Sequence, residues 1–243
     1  MPRMRALAVF LVLVVPACSP ATIRSIWELR MPLPASLKGE DIEFLEIGGG
    51  RMAPRRQLNI GAARVTGFAR NGWEVSRAED IVHSETEYSF RTEEGAERWR
   101  CACSVVREHN YFDAEPSSGA RLDEWVECGC ANEPETEAWK LTLVTTMRAR
   151  MRGADIVSEG ELTDGERLID VTSRYDIEGV RLRPLVPTGF LFADGNEWIA
   201  AAETSFAGGF HIRSDVAERE RRAIIVASAA LLLRQSVGTP DEE

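Results

Sequence analysis

Residues 223–233 read Ala-Ile-Ile-Val-Ala-Ser-Ala-Ala-Leu-Leu-Leu, and this stretch decides the fold. Every side chain except Ser228 is apolar, so a helix formed by it is hydrophobic on all faces. Such a helix must be buried in a protein core or in a membrane. Eleven residues are too few to span a bilayer, which takes about 20. The stretch therefore predicts a helix enclosed by the rest of the chain. A buried strand is the alternative, because three of these residues are β-branched.

The residues around this stretch predict where the helix begins and ends. Asp215 can act as the N-cap, and Glu218 three positions later completes a capping box. Arg234 suits the negative end of the helix dipole, and Gly238 and Pro240 terminate the segment. We therefore predict a helix over residues 215–235, followed by an acidic tail over residues 236–243.

The chain before the helix alternates short β-type runs with turn residues. Asp164-Gly165, Asp194-Gly195 and Gly208-Gly209 lie between extended runs, and Asn71-Gly72 marks an earlier turn. Such pairs favour tight hairpins because they adopt positive φ at little cost. Strands are predicted at residues 44–47, 57–69, 73–75, 88–90, 98–106, 122–130, 138–147, 156–162, 168–175, 180–185, 189–192, 198–203, 204–206 and 210–213.

This pattern predicts a mainly β domain over residues 41–235. Its expected form is a closed antiparallel β-barrel around the buried hydrophobic C-terminal helix. A β-sandwich with a packed C-terminal helix is the alternative.

About 50 residues near the C-terminus carry a resemblance to a known family. They are residues 189–195 (Gly-Phe-Leu-Phe-Ala-Asp-Gly), residues 198–203, residues 209–213 and the helix. This order of hairpins and helix resembles the tubby-like barrel of phospholipid scramblases, LURP-one-related proteins and tubby proteins. The resemblance implies a closed barrel whose lumen is filled by the helix. The family's calcium-linked and nucleotide-linked activities have no matching motif here, so none is carried over.

The first residues have the features of an export signal. Arg3 and Arg5 precede an apolar run over residues 6–17, which ends in Val15-Pro16-Ala17-Cys18. This segment resembles the lipobox of bacterial lipoproteins, which implies removal of residues 1–17, a lipid on Cys18 and a tether over residues 18–40. Inner-membrane lipoproteins usually carry Asp after the cysteine. Ser19 therefore points to an outer-membrane anchor with the domain facing the periplasm. An ordinary secretory signal, with Cys18 incidental, is the alternative.

The charge of the chain excludes one class of partner. Removal of Arg3 and Arg5 with the signal shifts the formal net charge from −10 to −12. Nucleic-acid binding needs a basic patch, so no nucleic-acid partner is expected. The membrane, through the lipid anchor, is the one partner that the sequence indicates, and no protein or lipid ligand is identified.

The four remaining cysteines form two closely spaced pairs, Cys101/Cys103 and Cys128/Cys130. Residues i and i+2 of a strand face the same side, so one antiparallel register can join Cys101 to Cys130 and Cys103 to Cys128. An exported chain meets an oxidising compartment, which favours two disulfides. A four-thiolate zinc site is the alternative.

No pattern of catalytic residues stands out in the sequence. His83, His109 and His211 belong to no metal-binding motif, and there is no Gly-x-Ser-x-Gly elbow. We therefore expect no catalytic residue, metal or cofactor, and a non-enzymatic binding or structural module of the envelope. The rival hypothesis is an envelope hydrolase whose active-site residues lie far apart in the sequence.

Overall fold

Strands make up most of the described part of the protein. The computed structural model describes residues 30–48, 58–78, 81–110, 121–150, 153–180, 184, 186–204 and 208–234. Within them the strands are β1 (Ile42–Gly48), β2 (Asn59–Ile60), β3 (Ala63–Ala78), β4 (Ile81–Glu94), β5 (Glu97–Asn110), β6 (Arg121–Asn132), β7 (Ala138–Arg150), β8 (Gly153–Thr163), β9 (Leu168–Arg174), β10 (Gly189–Asp194), β11 (Glu197–Glu203) and β12 (Gly209–Arg213). One α-helix, α1 (Glu218–Leu233), follows them.

The described strands close into a single barrel. Each pairs antiparallel with the next in sequence, and β1 completes the ring by pairing with both β2 and β12. The predicted closed antiparallel barrel is confirmed, and the sandwich alternative is wrong. Closure leaves the ring without a free edge, so the backbone groups of its central strands are used in the ladder.

The helix α1 fills the barrel. Residues 223–231 and 233 are buried, and they pack against inward-facing aromatic and aliphatic side chains of the strands. The Tyr88 hydroxyl on β4 donates a hydrogen bond of 2.8 Å to the Ala230 carbonyl, so barrel wall and helix are also joined by a polar contact. The prediction of an enclosed helix is confirmed, and the buried-strand alternative is wrong.

The predicted capping box at the start of the helix is wrong. Asp215 instead accepts a hydrogen bond of 2.9 Å from Arg213 Nε, and the helix begins at Glu218 after Ala217, which makes no side-chain cap. Arg213 bonds both carboxylate oxygens of Asp215, and such a bidentate pairing of two charged groups leaves the carboxylate unavailable as a cap. Three arginines of the first helical turns pair with carboxylates of the barrel: Arg219 with Asp164, Arg221 with Glu43, and Arg222 with Glu97.

Asn71-Gly72 does not form the predicted turn. Strand β3 continues through it, with a shift of register against β4 between Arg70 and Gly72. The pair therefore accommodates an irregularity within a long strand. The predicted strands over residues 180–185 and 204–206 lie largely outside the described residues. Of their described residues, Val180 makes an isolated bridge with Ile177, and Thr204 lies outside β11.

The first described residues pack against the outside of the barrel. Met31 and Leu37 are buried against Leu191 of β10 and Ala201 of β11. Arg30 pairs with the buried carboxylate of Glu203 at 3.1 Å, although burial still raises the pKa of Glu203. The part of the predicted tether beyond residue 30 thus covers β10 and β11. The predicted signal, Cys18 and the acidic tail lie outside the described residues.

Candidate functional site

The two disulfides form between the cysteines that the sequence predicted to pair. Cys101 faces Cys130 and Cys103 faces Cys128 across the β5–β6 ladder, with Cα atoms 4.2 and 4.1 Å apart. The pairing Cys101–Cys130 and Cys103–Cys128 is confirmed. Because the sulfurs are bonded to each other, the four-thiolate zinc site is wrong. Among the described residues, no group of three or more His, Cys, Asp or Glu side chains could hold a metal ion.

The residues between the cysteines point the other way, to the outer surface. Side chains alternate along a strand, so the buried cysteines leave Ala102 on β5 and Gly129 on β6 facing outward. These two residues are direct partners in the ladder, and each is flanked on both sides by disulfide-bonded cysteines. Strands β5 and β6 are therefore covalently cross-linked on both sides of the Ala102–Gly129 pair.

A depression in the outer wall lies over this clamped pair. It consists of two adjoining concavities of about 560 and 640 Å³ that share Ala102, Gly129 and Glu127. Small side chains form its floor, since the Ala131–Ala138 ladder pair lies next to the Ala102–Gly129 pair along β6. We call this feature the outer groove. Along β6 it reaches from Trp125 to Ala131, which is six steps along the strand or about 20 Å.

Gly129 has no packing role in the described structure. A Cβ atom built on it would meet nothing within 4 Å. Gly160 on β8 is the opposite case, because a Cβ there would lie 2.1 Å from the Thr142 carbonyl oxygen. A glycine inside a strand costs about 0.5–1 kcal/mol relative to alanine, and it often marks close approach of another molecule. The space over Gly129 is thus empty although neither packing nor backbone conformation requires it.

The lining of the outer groove is rich in hydrogen-bond acceptors. Across the strands, Glu87, Ser104, Glu127 and Thr142 form one polar row, with Asn71 at its end. The two cations lining the groove among the described residues are both paired. Arg100 lies 2.8 Å from Glu133, and Lys140 lies 2.9 Å from Glu127.

An exposed aromatic side chain stands beside this polar row. Trp125 is 38% exposed, and its ladder partners Val106 and Val144 extend an apolar strip across β5–β7. Trp combines a large apolar face with one N–H donor, which suits it to contact a partner with both apolar and polar groups. The groove thus combines an apolar strip, an acceptor-rich row and a floor of small residues.

A second polar cluster lies inside the barrel, beside the C-terminal end of α1. Arg107 Nε is 2.6 Å from Glu124, and Arg234, the residue after α1, is 3.0 Å from the same carboxylate. Burial raises the pKa of Glu124, but Arg234 and Arg107 outweigh it, so the pKa lies below its ordinary value of 4.5. The Arg234 guanidinium also lies 5.1 Å from the centre of the Phe190 ring. These contacts fix the end of the helix to the wall.

Hydroxyl groups extend this cluster along the inner wall. Thr145 and Ser158 are 3.0 Å apart, and Ser158 donates to Ser173 at 2.9 Å. Tyr175 bonds Thr145 and Ser173, and burial raises its pKa. The hydroxyls satisfy one another, as buried polar groups must. We interpret the cluster as structural.

The three histidines lie apart from one another. His83 is exposed on the outer surface, 3.5 Å from Glu108. His109 faces the inner cluster, where burial and then Arg107 lower its pKa. His211 packs edge-on against Phe44 at 5.2 Å, and burial lowers its pKa. The structure therefore does not gather them into one cleft.

Trp99 and Trp125 lie close to the cysteine pairs in the sequence, which gives no direct sign of the outer groove. In the structure Trp99 is buried with the cysteines, whereas Trp125 faces outward. Strict alternation along β6 could have shown this, since Trp125 and Gly129 have the opposite parity to Cys128. The small residues of the floor come from three strands, and only the register brings them together.

Comparison of the chain with protein-family profiles, curated proteins and solved structures gives no match. Among the described residues, no helix has the length and apolar character needed to cross a membrane.

Proposed function

We propose that this protein is an exported, lipid-anchored module of the bacterial envelope that binds a ligand in the outer groove and catalyses no reaction. The observation that carries the proposal is the open space over Gly129 in a wall clamped by two disulfides. A rigid site binds more tightly than a mobile one, because less conformational freedom is lost on binding. The disulfides thus preorganise the floor of the groove.

The interior of the barrel is a poorer candidate site. Helix α1 fills it, and the inner polar cluster is held by its own ion pairs and hydrogen bonds. A ligand there would have to displace the helix, whereas the outer groove is already open.

The proposed anchor suits the position of the groove. The chain enters the described fold along β10 and β11, while the groove lies on β5–β7. In the ring order, β11 and β6 are five places apart among twelve strands, which puts them on nearly opposite sides. A protein held through Cys18 can therefore present the groove away from the side on which the chain enters.

We also propose membership of the tubby-like barrel family. The closed twelve-stranded antiparallel barrel with the C-terminal helix inside supports this relationship.

Fluorine NMR of protein labelled with 5-fluorotryptophan tests the binding function. The Trp125 signal, assigned with Trp125→Phe, is followed while separated protein, lipid and glycan pools of the envelope are added. We expect one pool to shift this signal in the wild-type protein and not in Gly129→Leu, whose side chain fills the groove. If no pool shifts it, or if Gly129→Leu responds equally, the groove is not a binding site. Chemical turnover of the bound component would favour the hydrolase hypothesis instead.

A further inference from the structure

We infer that the ligand of the outer groove is an uncharged or amino-sugar oligosaccharide chain. The inference rests on the proposed function and names its ligand class. A pyranose ring has an apolar C–H face and a rim of hydroxyls that both donate and accept hydrogen bonds. The groove has the complementary parts, an exposed indole beside a row of oxygen acceptors.

The polar row determines which chemistry can bind beside Trp125. Ionised carboxylates only accept hydrogen bonds, so Glu87 and the oxygens of Glu127 that Lys140 leaves free can bond a ligand only through its donor groups. The Ser104 hydroxyl donates to Glu85 at 3.4 Å and can accept from a ligand, whereas Thr142 can donate or accept, which matches the mixed character of sugar hydroxyls. A hydrogen bond from a hydroxyl to a carboxylate is charge-assisted and therefore strong.

The charges of the groove disfavour anionic ligands. Arg100 and Lys140, the cations among its described lining residues, are already bonded to Glu133 and Glu127. A phosphate or carboxylate ligand would compete with Glu133 and Glu127 for these cations and would face the remaining lining carboxylates. Ammonium groups, as in an amino sugar, meet no such repulsion.

The closed barrel disfavours an extended peptide. Peptides bind sheets most readily by adding a strand at a free edge. Strands β5, β6 and β7 are each paired on both sides, so the groove offers side chains and no free backbone ladder. A peptide's carbonyls would need donors, which an acceptor-rich lining supplies poorly.

The dimensions fit a linear chain rather than one ring. The groove continues from Trp125 for about 20 Å along β6, and its far part, over Ala131 and Ala138, has a smooth floor of small side chains. One sugar packs on Trp125 beside Val144, and the following units lie over Gly129.

Calorimetric titration with chitotetraose, cellotetraose and maltotetraose, and with tetralysine as the rival probe, tests the inference. We expect at least one tetrasaccharide to bind and to shift the Trp125 fluorine signal. Binding should weaken at least about tenfold in Trp125→Ala and Gly129→Leu, as for removal of a central contact residue. Glu127→Gln should also weaken it, whereas the matched change Asp170→Asn on β9 should not.

Circular dichroism and urea unfolding show whether each variant is folded, and Gly129→Leu is expected to fold because its Cβ atom would meet nothing within 4 Å and its side chain faces outward. Binding of tetralysine alone, or of none of the four probes, overturns the inference. If the protein or lipid pool shifts the Trp125 signal while the tetrasaccharides do not, the binding function stands and the saccharide assignment is wrong.

Discussion

Gly129 and Gly160 of the barrel wall have opposite roles, and alanine substitution distinguishes an open position from a tightly packed one. Gly129→Ala should keep the free energy of unfolding or raise it by up to about 1 kcal/mol, because the new methyl group meets open space. Gly160→Ala should lower it by about 1–3 kcal/mol, because its methyl group overlaps the Thr142 backbone. Urea unfolding of the two variants checks this. Equal losses in both would show that Gly129 is a structural glycine.

Glu124 should make the stability of the protein depend on pH. Its pKa in the folded state lies below the ordinary 4.5 because Arg234 and Arg107 outweigh the effect of burial. A lowered carboxyl pKa contributes stability above the unfolded value, and this contribution is lost as the pH falls through the folded pKa. We therefore expect Glu124 to contribute its full stabilisation at neutral pH. This contribution to the free energy of unfolding should decrease as the pH falls below 4.5.

The substitution Glu124→Gln tests this ion pair directly. It leaves Arg107 and Arg234 without their shared carboxylate, which should cost about 3–5 kcal/mol at neutral pH. The variant should also lose part of the decline at low pH. Glu161→Gln on the exposed face of β8 is the matched control, with an expected change within about 0.5 kcal/mol. An unchanged pH profile in Glu124→Gln would contradict the assignment.

At the scale of elements, the helix α1 fills the centre of the hydrophobic core. Ala227 and Ala230 are buried on it, so Asp at either position places an unpaired charge in the lumen. Because a domain is stable by only about 5–15 kcal/mol, we expect both variants to be largely unfolded by circular dichroism. Leu232 is only partly buried, and Leu232→Asn should be tolerated better. A folded Ala227→Asp variant would show that the helix is not enclosed.

Truncation tests the same element from its end. A chain ending at Arg213 should aggregate or be digested by protease, since the barrel loses its filling. A chain ending at Gln235 should fold normally, because it keeps Arg234 and the ion pair of that residue with Glu124. Cooperative unfolding of the shorter chain would show that the barrel does not need the helix.

At the scale of the whole molecule, the proposed lipid on Cys18 should determine where the protein resides. Buried acyl methylenes contribute about 0.8 kcal/mol each, so more than one chain gives stable anchoring. We expect Cys18→Ser to move the protein from the membrane fraction to the soluble fraction, and Ser19→Asp to move it to the inner membrane. Fractionation with mass analysis of the N-terminus checks both. A Cys18→Ser variant that stays membrane-bound with the wild-type mass would be evidence against lipidation.

The sequence alone determined the features that depend on local patterns. An all-apolar stretch cannot be stable at a surface, so residues 223–233 required burial, and the hairpin pattern favoured a barrel over a sandwich as the enclosure. Alternation along a strand placed each cysteine pair on one face, and one antiparallel register then set both disulfides. Its errors were also local. Asn71-Gly72 and Asp215 were read by their intrinsic preference. Pairing with β4 carries β3 through Asn71-Gly72, and Asp215 bonds Arg213, two residues earlier, instead of capping the helix.

Only the tertiary structure decided the site. The groove exists because Ala102, Gly129, Ala131 and Ala138 come together from three strands, and this neighbourhood depends on the pairing of β5, β6 and β7. Likewise, Arg107, Glu124 and Arg234 are far apart in sequence, and their ion pairs form only when α1 is inside the barrel. The shape of the groove and the pairing of these charges depend on strands and a helix that are distant in the sequence. Local sequence patterns therefore cannot reveal them.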